Sequence, residues 1–305
     1  MKCTFLFPGQ GSQSVGMGKD LYDSNEIAHG IFDQADKILG RDLTRIIFAG
    51  PAEELTATQN TQPALFTIES AITAVLASRG IIPSFTAGHS LGEYSALYAA
   101  GVLSFGDGLK LVARRGELMA KAGKENPGTM AAIIGLDKEK IAQVLSEVKS
   151  GIVVPANENS PEQTVISGEI PAVNEACEKL KNAGAKRALV LQVSGAFHSP
   201  LMRKAADEFS KELDAVTFNT PSCPVITNVT AKPETDPSLL RRLLVKQLIS
   251  PVRFVDMMAS LVSLDHGTCC ETGPGSVLKG LARKCSDSLN LVSCDTATNI
   301  YSLSA

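Results

Sequence analysis

Gly88-His89-Ser90-Leu91-Gly92 forms a G-x-S-x-G set between a β-rich run and a helical pattern. In that context the pattern reads as a nucleophile elbow, in which small glycines permit a tight turn that lifts the serine hydroxyl off the sheet. The N–H of Leu91 would then sit at a helix start and could donate to an oxyanion. The chemistry would be acyl transfer through an acyl-serine. An ordinary glycine-rich turn fits the same five residues, so the serine needs a base. His198, in Ser194-Gly-Ala-Phe-His-Ser199, follows a strand-like run. Strand ends are where α/β proteins place catalytic groups. His89 adjoins Ser90, but neighbours around a sharp turn point apart. His29 on a helix and His266 in the polar 264–268 loop read as surface residues. Asp107 and Asp137 are the only aspartates between Ser90 and His198, and neither context suits a triad. A hydrolase of the ordinary Ser-Asp-His order is therefore disfavoured.

Two further segments could serve an acyl group. Phe7-Pro-Gly-Gln-Gly-Ser-Gln13 could present backbone N–H groups to an anion or oxyanion. It lacks the Gly-Lys-Ser/Thr of a phosphate loop, and Gly16 falls too late for G-x-G-x-x-G. Arg114 and Arg115 share a helix, so one can face the core while the other faces water. An arginine is the side chain that grips a carboxylate through a planar fork.

These residues need elements to hold them. The first 125 residues alternate strand-like runs (3–7, 84–90) with helical patterns (68–80, 91–101, 105–123). In 105–123 the apolar stripe falls on Leu109, Val112, Ala113 and Leu118. Strands alternating with helices argue for a parallel sheet covered on both faces. After the polar boundary at 124–128 the order becomes β-α-β-β-α-β, a ferredoxin-like unit whose two central strands are joined by the turn-formers NENSPEQ. The expected architecture is α/β. A catalytic domain spans 1–126 and 195–305, and a small domain spans 127–194. The tail after Cys285 is polar and weakly patterned, and its end is expected to be loose.

Composition bounds the alternatives. The chain has 305 residues, 44% apolar and 20% charged, the balance of a globular protein with a real core. A formal net charge of −3 gives no global attraction to nucleic acid or anionic membrane. No apolar run reaches transmembrane length, and Pro8 stops the N-terminal apolar stretch, so a cytoplasmic protein is expected. Seven irregularly spaced cysteines with no C-x-x-C, and four scattered histidines, suggest neither a disulfide framework nor a metal site.

Taken together and in order, FPGQGSQ, TQPALF, AGHSLGEYSAL, ARRGELM, ANENSPEQTVISG, AFHS, NVTA, QLISPVRF and ETGPGSVLKGL resemble the malonyl-CoA:acyl carrier protein transacylase family. The resemblance spans about residues 3–284. It implies an α/β-hydrolase-like large domain with a ferredoxin-like insert. It also implies transfer of malonyl from coenzyme A to a carrier protein's phosphopantetheine thiol, for fatty acid synthesis. Ser90 matches the nucleophile and His198 its base, in a pair without a triad aspartate. The carbonyl of Gln247 matches the group that steadies the imidazole. The N–H groups of Gln10 and Leu91 match the oxyanion hole. Arg115 matches the arginine that holds the malonyl carboxylate, and Phe197 the residue that narrows the pocket against a methyl branch. No metal or cofactor is implied, only the two thioester substrates.

Three other readings remain open at this level. One is a trans-acting acyltransferase of a modular polyketide synthase, the second a serine hydrolase or thioesterase, the third a non-catalytic module. Carrier proteins are acidic, so Lys181, Lys186, Arg187, Arg241, Arg242 and Lys246 are candidate contacts, and a solvated mixed-charge surface explains them as well. The chain is expected to be a monomer.

Overall fold

The computed structural model describes residues 2–289 and 291–303. Among the described residues, ten strands form two sheets. Their ranges are β1 Cys3–Phe7, β2 Phe85–Gly88, β3 Gly128–Ile134, β4 Val153–Ser160, β5 Gln163–Glu169, β6 Arg187–Val190, β7 Val225–Ile226, β8 Pro233–Glu234, β9 Thr268–Glu271 and β10 Leu291–Ser293. The larger sheet has the order β10-β9-β1-β2-β7-β8, parallel throughout except for the edge strand β8. β1 is fully buried, as a continuous apolar run in a doubly covered parallel sheet must be. The smaller sheet is antiparallel with the order β4-β5-β3-β6, and two helices, Lys138–Leu145 and Ile170–Asn182, complete its β-α-β-β-α-β order.

All four strands of the smaller sheet fall between Gly128 and Val190. The chain leaves the large layer through the helix Phe105–Glu125 and returns near Ser194. The two crossings touch, since a Cβ on Gly123 would lie 2.0 Å from the Ser194 carbonyl oxygen. The two layers are also stitched by backbone. Glu158 N–H donates to Val252 O at 2.9 Å, and Val252 N–H to Ala156 O at 2.8 Å.

That stitch corrects the reading of NENSPEQ as one turn. Residues 157–160 continue β4, and only Pro161 and Glu162 turn. Turn-forming residues stay extended there because a distant segment supplies hydrogen bonds that local pattern cannot show.

The helix expected over 68–80 begins ten residues earlier, at Thr58, and carries Pro63 inside it. Proline cannot donate to the carbonyl of residue i−4. Here the Gln59 carbonyl accepts instead from Arg41 Nη2 at 3.1 Å, which lets the helix tolerate the proline. Four helices that periodicity did not reveal, at 19–24, 26–39, 43–49 and 52–56, precede it.

Beyond Cys285 the described residues, 286–289 and 291–303, include a strand and a helix that the weak pattern did not suggest. β10 adds a parallel strand beside β9, and the helix Ala297–Ser302 buries Ile300. Arg79 donates to the carbonyls of Ile300, Tyr301 and Leu303, so it caps both this helix and its exit. The last two residues lie outside the described residues. Arg79→Ala is expected to raise amide exchange across 297–303 about tenfold, the weight of roughly one hydrogen bond to a charged group. Hydrogen-exchange mass spectrometry checks this, and unchanged protection would show that Ile300 alone seats the helix.

Candidate active site

The elbow follows from close packing at its glycines. A Cβ on Gly88 would lie 1.9 Å from the Gly92 carbonyl carbon, and one on Gly92 would lie 2.1 Å from Phe7 O. Only glycine allows β2 to turn so sharply into the helix Gly92–Ala99 beside β1. Ser90 occupies the left-handed region, with φ of 53°. A non-glycine residue there is strained by roughly 1–3 kcal/mol. Asn228 holds it. Its Oδ1 accepts the Ser90 N–H at 2.7 Å and its Nδ2 donates to Gly88 O at 2.6 Å.

The hydroxyl so raised meets His198, which also has a left-handed backbone, with φ of 57°. Ser90 Oγ is 2.8 Å from His198 Nε2, and His198 Nδ1 is 2.8 Å from the Gln247 carbonyl oxygen. A carbonyl can only accept, so Nδ1 carries the proton and the Nε2 lone pair faces the serine. Gln247 ends the helix Pro237–Gln247. Last-turn carbonyls lack intrahelical donors and carry the negative end of the helix dipole, which favours a developing imidazolium. A helix terminus thus occupies the place a triad aspartate would hold. Burial and then the nearby Arg115 charge push the His198 pKa down to about 3, against the Gln247 carbonyl. The resting imidazole is a neutral acceptor at any ordinary pH.

The helix carrying both arginines separates them as its stripe requires. Arg114 lies at the surface between Glu117 and Glu212. Arg115 is 1% exposed. Its Nη1 donates to Gln62 Oε1 at 2.7 Å, and its Nη2 to Gln247 Oε1 at 2.9 Å and Ser90 Oγ at 3.2 Å. The guanidinium carbon lies 5.4 Å from the Tyr94 ring centre. Its buried Nε has no protein partner among the described residues. Burial lowers its pKa, with Tyr94 and Glu93 opposing.

These groups open into a cavity of about 260 Å³ bounded by Gln10, Leu91, Met130 and Val165, with Asn159 and Phe197 among its other walls. Helix and loop residues of the large layer form its floor, and the antiparallel sheet forms its roof. Among the described residues the backbone N–H groups of Gln10 and Leu91 donate to no protein group. Gly9 brings Gln10 close, since a Cβ there would lie 2.4 Å from His89 O. His89 points away from Ser90, with Nε2 2.8 Å from Asn159 Oδ1. His29 stacks on Tyr22 at the surface. Of the candidate carrier contacts, Lys181, Arg187, Arg242 and Lys246 are exposed, Lys186 lies 3.9 Å from Glu162, and Arg241 donates to Val216 O. None of the six lines the cavity. Among the described residues, no group of three or more His, Cys, Asp or Glu could hold a metal ion.

The tertiary structure adds residues to which the sequence assigned no role. Gln62 lies in TQPALF, Glu93 in GEYSAL, Asn228 in NVTA and Asn159 in NENS. Their one sequence signal is polarity inside runs that are otherwise buried. Gln247 also does more than lend its carbonyl: its Nε2 donates to Ser90 O at 2.9 Å and to Glu93 Oε2 at 2.5 Å.

Residues 4–300 match the acyl transferase domain family. A malonyl CoA-acyl carrier protein transacylase of Bacillus subtilis is 48% identical over 93% of this chain and 90% of its own. One from Staphylococcus aureus is 42% identical over 98% and 97%. Among solved structures, an acyl carrier protein S-malonyltransferase from Vibrio cholerae superposes with a TM-score of 0.95 at 42% identity, covering 99% of both chains. A malonyl-transacylase in complex with a holo type II PKS acyl carrier protein also has a TM-score of 0.95 at 42% identity, over 99% and 98%.

The His198 environment fixes a sign for pH dependence. Its folded pKa of about 3 lies below the ordinary 6.5, so between the two the unfolded chain binds a proton that the folded one refuses. Stability contributed by the neutral imidazole is present above pH 6.5 and is lost as pH falls toward 3. Glu93, raised by burial to about 7 from 4.5, acts oppositely and contributes stability that is lost as pH rises through 7. In a pH series of melting temperatures, His198→Gln is expected to lose less stability than the wild type between pH 6.5 and 4. Parallel curves would contradict the buried neutral imidazole.

Proposed function

The chain belongs to the acyl transferase family, and from that premise we propose that it transfers malonyl from malonyl-CoA to the phosphopantetheine thiol of an acyl carrier protein. The observation that carries this reading is the Arg115 guanidinium, buried in the acyl cavity with Nη2 3.2 Å from the Ser90 hydroxyl. A positive charge there suits an acyl group that ends in its own carboxylate, because a buried charge is tolerable only when paired.

The path runs in two half-reactions. His198 Nε2 takes the Ser90 proton as Oγ attacks the malonyl thioester carbon. The N–H groups of Gln10 and Leu91 receive the oxyanion. One such donor is worth roughly 3–4 kcal/mol to the transition state. The imidazolium, steadied by a helix-end carbonyl rather than a carboxylate, returns its proton to the departing CoA thiolate. The carrier thiol then enters and gives its proton to His198 as its sulfur attacks the acyl carbon; the Ser90 ester bond breaks and His198 returns that proton to Oγ, so the kinetics are ping-pong. Arg115 holds the carboxylate throughout, and the Phe197 ring restricts the space beside the malonyl methylene. Side chains and backbone amides carry each step, with no metal or organic cofactor.

We place the enzyme in fatty acid synthesis, in the cytoplasm, as a monomer. No helix among the described residues is long and apolar enough to cross a membrane. A polyketide carrier is the second reading, favoured by the type II PKS complex among its structural neighbours.

Intact-protein mass after mixing with malonyl-CoA tests the reading. A malonyl adduct on the wild type, absent in Ser90→Ala and chased by holo carrier protein, is the expected result. Decay to free malonate despite added carrier would make the protein a hydrolase. Arg115→Ala is expected to cost malonyl transfer roughly 3–5 kcal/mol, the scale of an unpaired buried charge. Acetyl transfer should be spared or improved, and an equal fall in both would remove Arg115 from carboxylate recognition.

A further inference from the structure

Gln247 touches Ser90, His198 and Arg115, and its amide has two unlike ends. Arg115 can only donate, so it needs Oε1. The Ser90 carbonyl can only accept, and Glu93 Oε2 already accepts the Asn228 N–H, so it stays an acceptor whether or not Oε1 carries a proton, and both need Nε2. The observed contacts obey that logic, with Oε1 toward Arg115 and Nε2 toward Ser90 O and Glu93 Oε2. Turned end for end, the amide would aim N–H groups at a buried guanidinium and leave the Glu93 carboxyl without its donor. Glu93 is 1% exposed and does not line the acyl cavity. Its Oε2 also receives the Asn228 N–H at 3.4 Å, from the residue that holds the strained Ser90 backbone. The remaining charged neighbour is Arg115, which opposes the rise that burial imposes on the Glu93 pKa.

Building on the malonyl-transfer reading, we propose that Glu93 is a positioning residue that fixes which end of the Gln247 amide faces Arg115, and thereby sets selectivity for carboxylated acyl groups. It acts through Gln247 and touches no substrate. Two N–H donors converge on one Glu93 oxygen, so a glutamine can present its own oxygen to them, whereas leucine fills the volume and accepts nothing. The selectivity therefore follows the acceptor and not the charge.

The test compares the rate of Ser90 acylation, by intact mass, from malonyl-CoA and from acetyl-CoA in the wild type, Glu93→Leu and Glu93→Gln, with folding checked by thermal melts. In Glu93→Leu the malonyl-to-acetyl ratio of kcat/KM should fall roughly 10- to 100-fold, the weight of one hydrogen bond to a charged group. Glu93→Gln should keep the wild-type ratio. Should the leucine variant not fold, Glu93→Ala serves the same comparison. An unchanged or raised ratio in the variant without an acceptor would overturn the inference, as would an equal loss in Glu93→Gln. Absence of any malonyl adduct on the wild type would instead overturn the functional reading, and the inference with it.

Discussion

Burying the Arg115 guanidinium beside a serine and a histidine imposes the central constraint on this protein. A cation taken out of water must be held by acceptors, and an anionic partner in direct contact would compete with any carboxylate arriving on a substrate. The site meets that condition with neutral amides. Gln62 and Gln247 each offer an oxygen to the fork, and the Glu93 carboxyl is linked to it through the Gln247 amide. Burial first, and then the same cation, depresses the basicity of His198, so its imidazole is neutral at rest.

That charge is held by elements from four separate parts of the chain. Gln62 comes from the helix Thr58–Ser78, Ser90 from the turn after β2, Arg115 from the helix Phe105–Glu125, and Gln247 from the end of the helix Pro237–Gln247. The larger sheet sets the first of these against one another. The last arrives only after the chain has built the antiparallel layer and returned. The inserted layer roofs the cavity with Met130, Val165 and Asn159, and β4 is tied to the large layer through Val252. A roof registered by backbone hydrogen bonds keeps the cavity shape fixed relative to the nucleophile.

Two left-handed residues meet at the reacting pair, Ser90 and His198. Each conformation costs energy that the surroundings must offset. Asn228 bridges both sides of the elbow, and the Gln247 carbonyl anchors the imidazole. Asn228 thus restrains the left-handed Ser90 backbone and the helix-end carbonyl restrains the His198 ring, with Ser90 Oγ and His198 Nε2 2.8 Å apart.

The local chemistry is legible in the residue order. The G-x-S-x-G spacing announces a sharp turn because only glycine has room at Gly88 and Gly92. The strand-helix alternation announces a covered parallel sheet, and the ordered motifs announce the family. Helical periodicity allowed one of two adjacent arginines to face inward, although which one came only from the resemblance. The tertiary structure decided what faces what. It extended NENS into a strand, carried a helix through Pro63, docked the tail with Arg79, and gathered Gln62, Glu93 and Asn228 around the serine. These depend on hydrogen-bond partners dozens to hundreds of residues away. A polar side chain is assigned by the donor or acceptor it meets, and that partner is fixed by packing rather than by its neighbours in the chain.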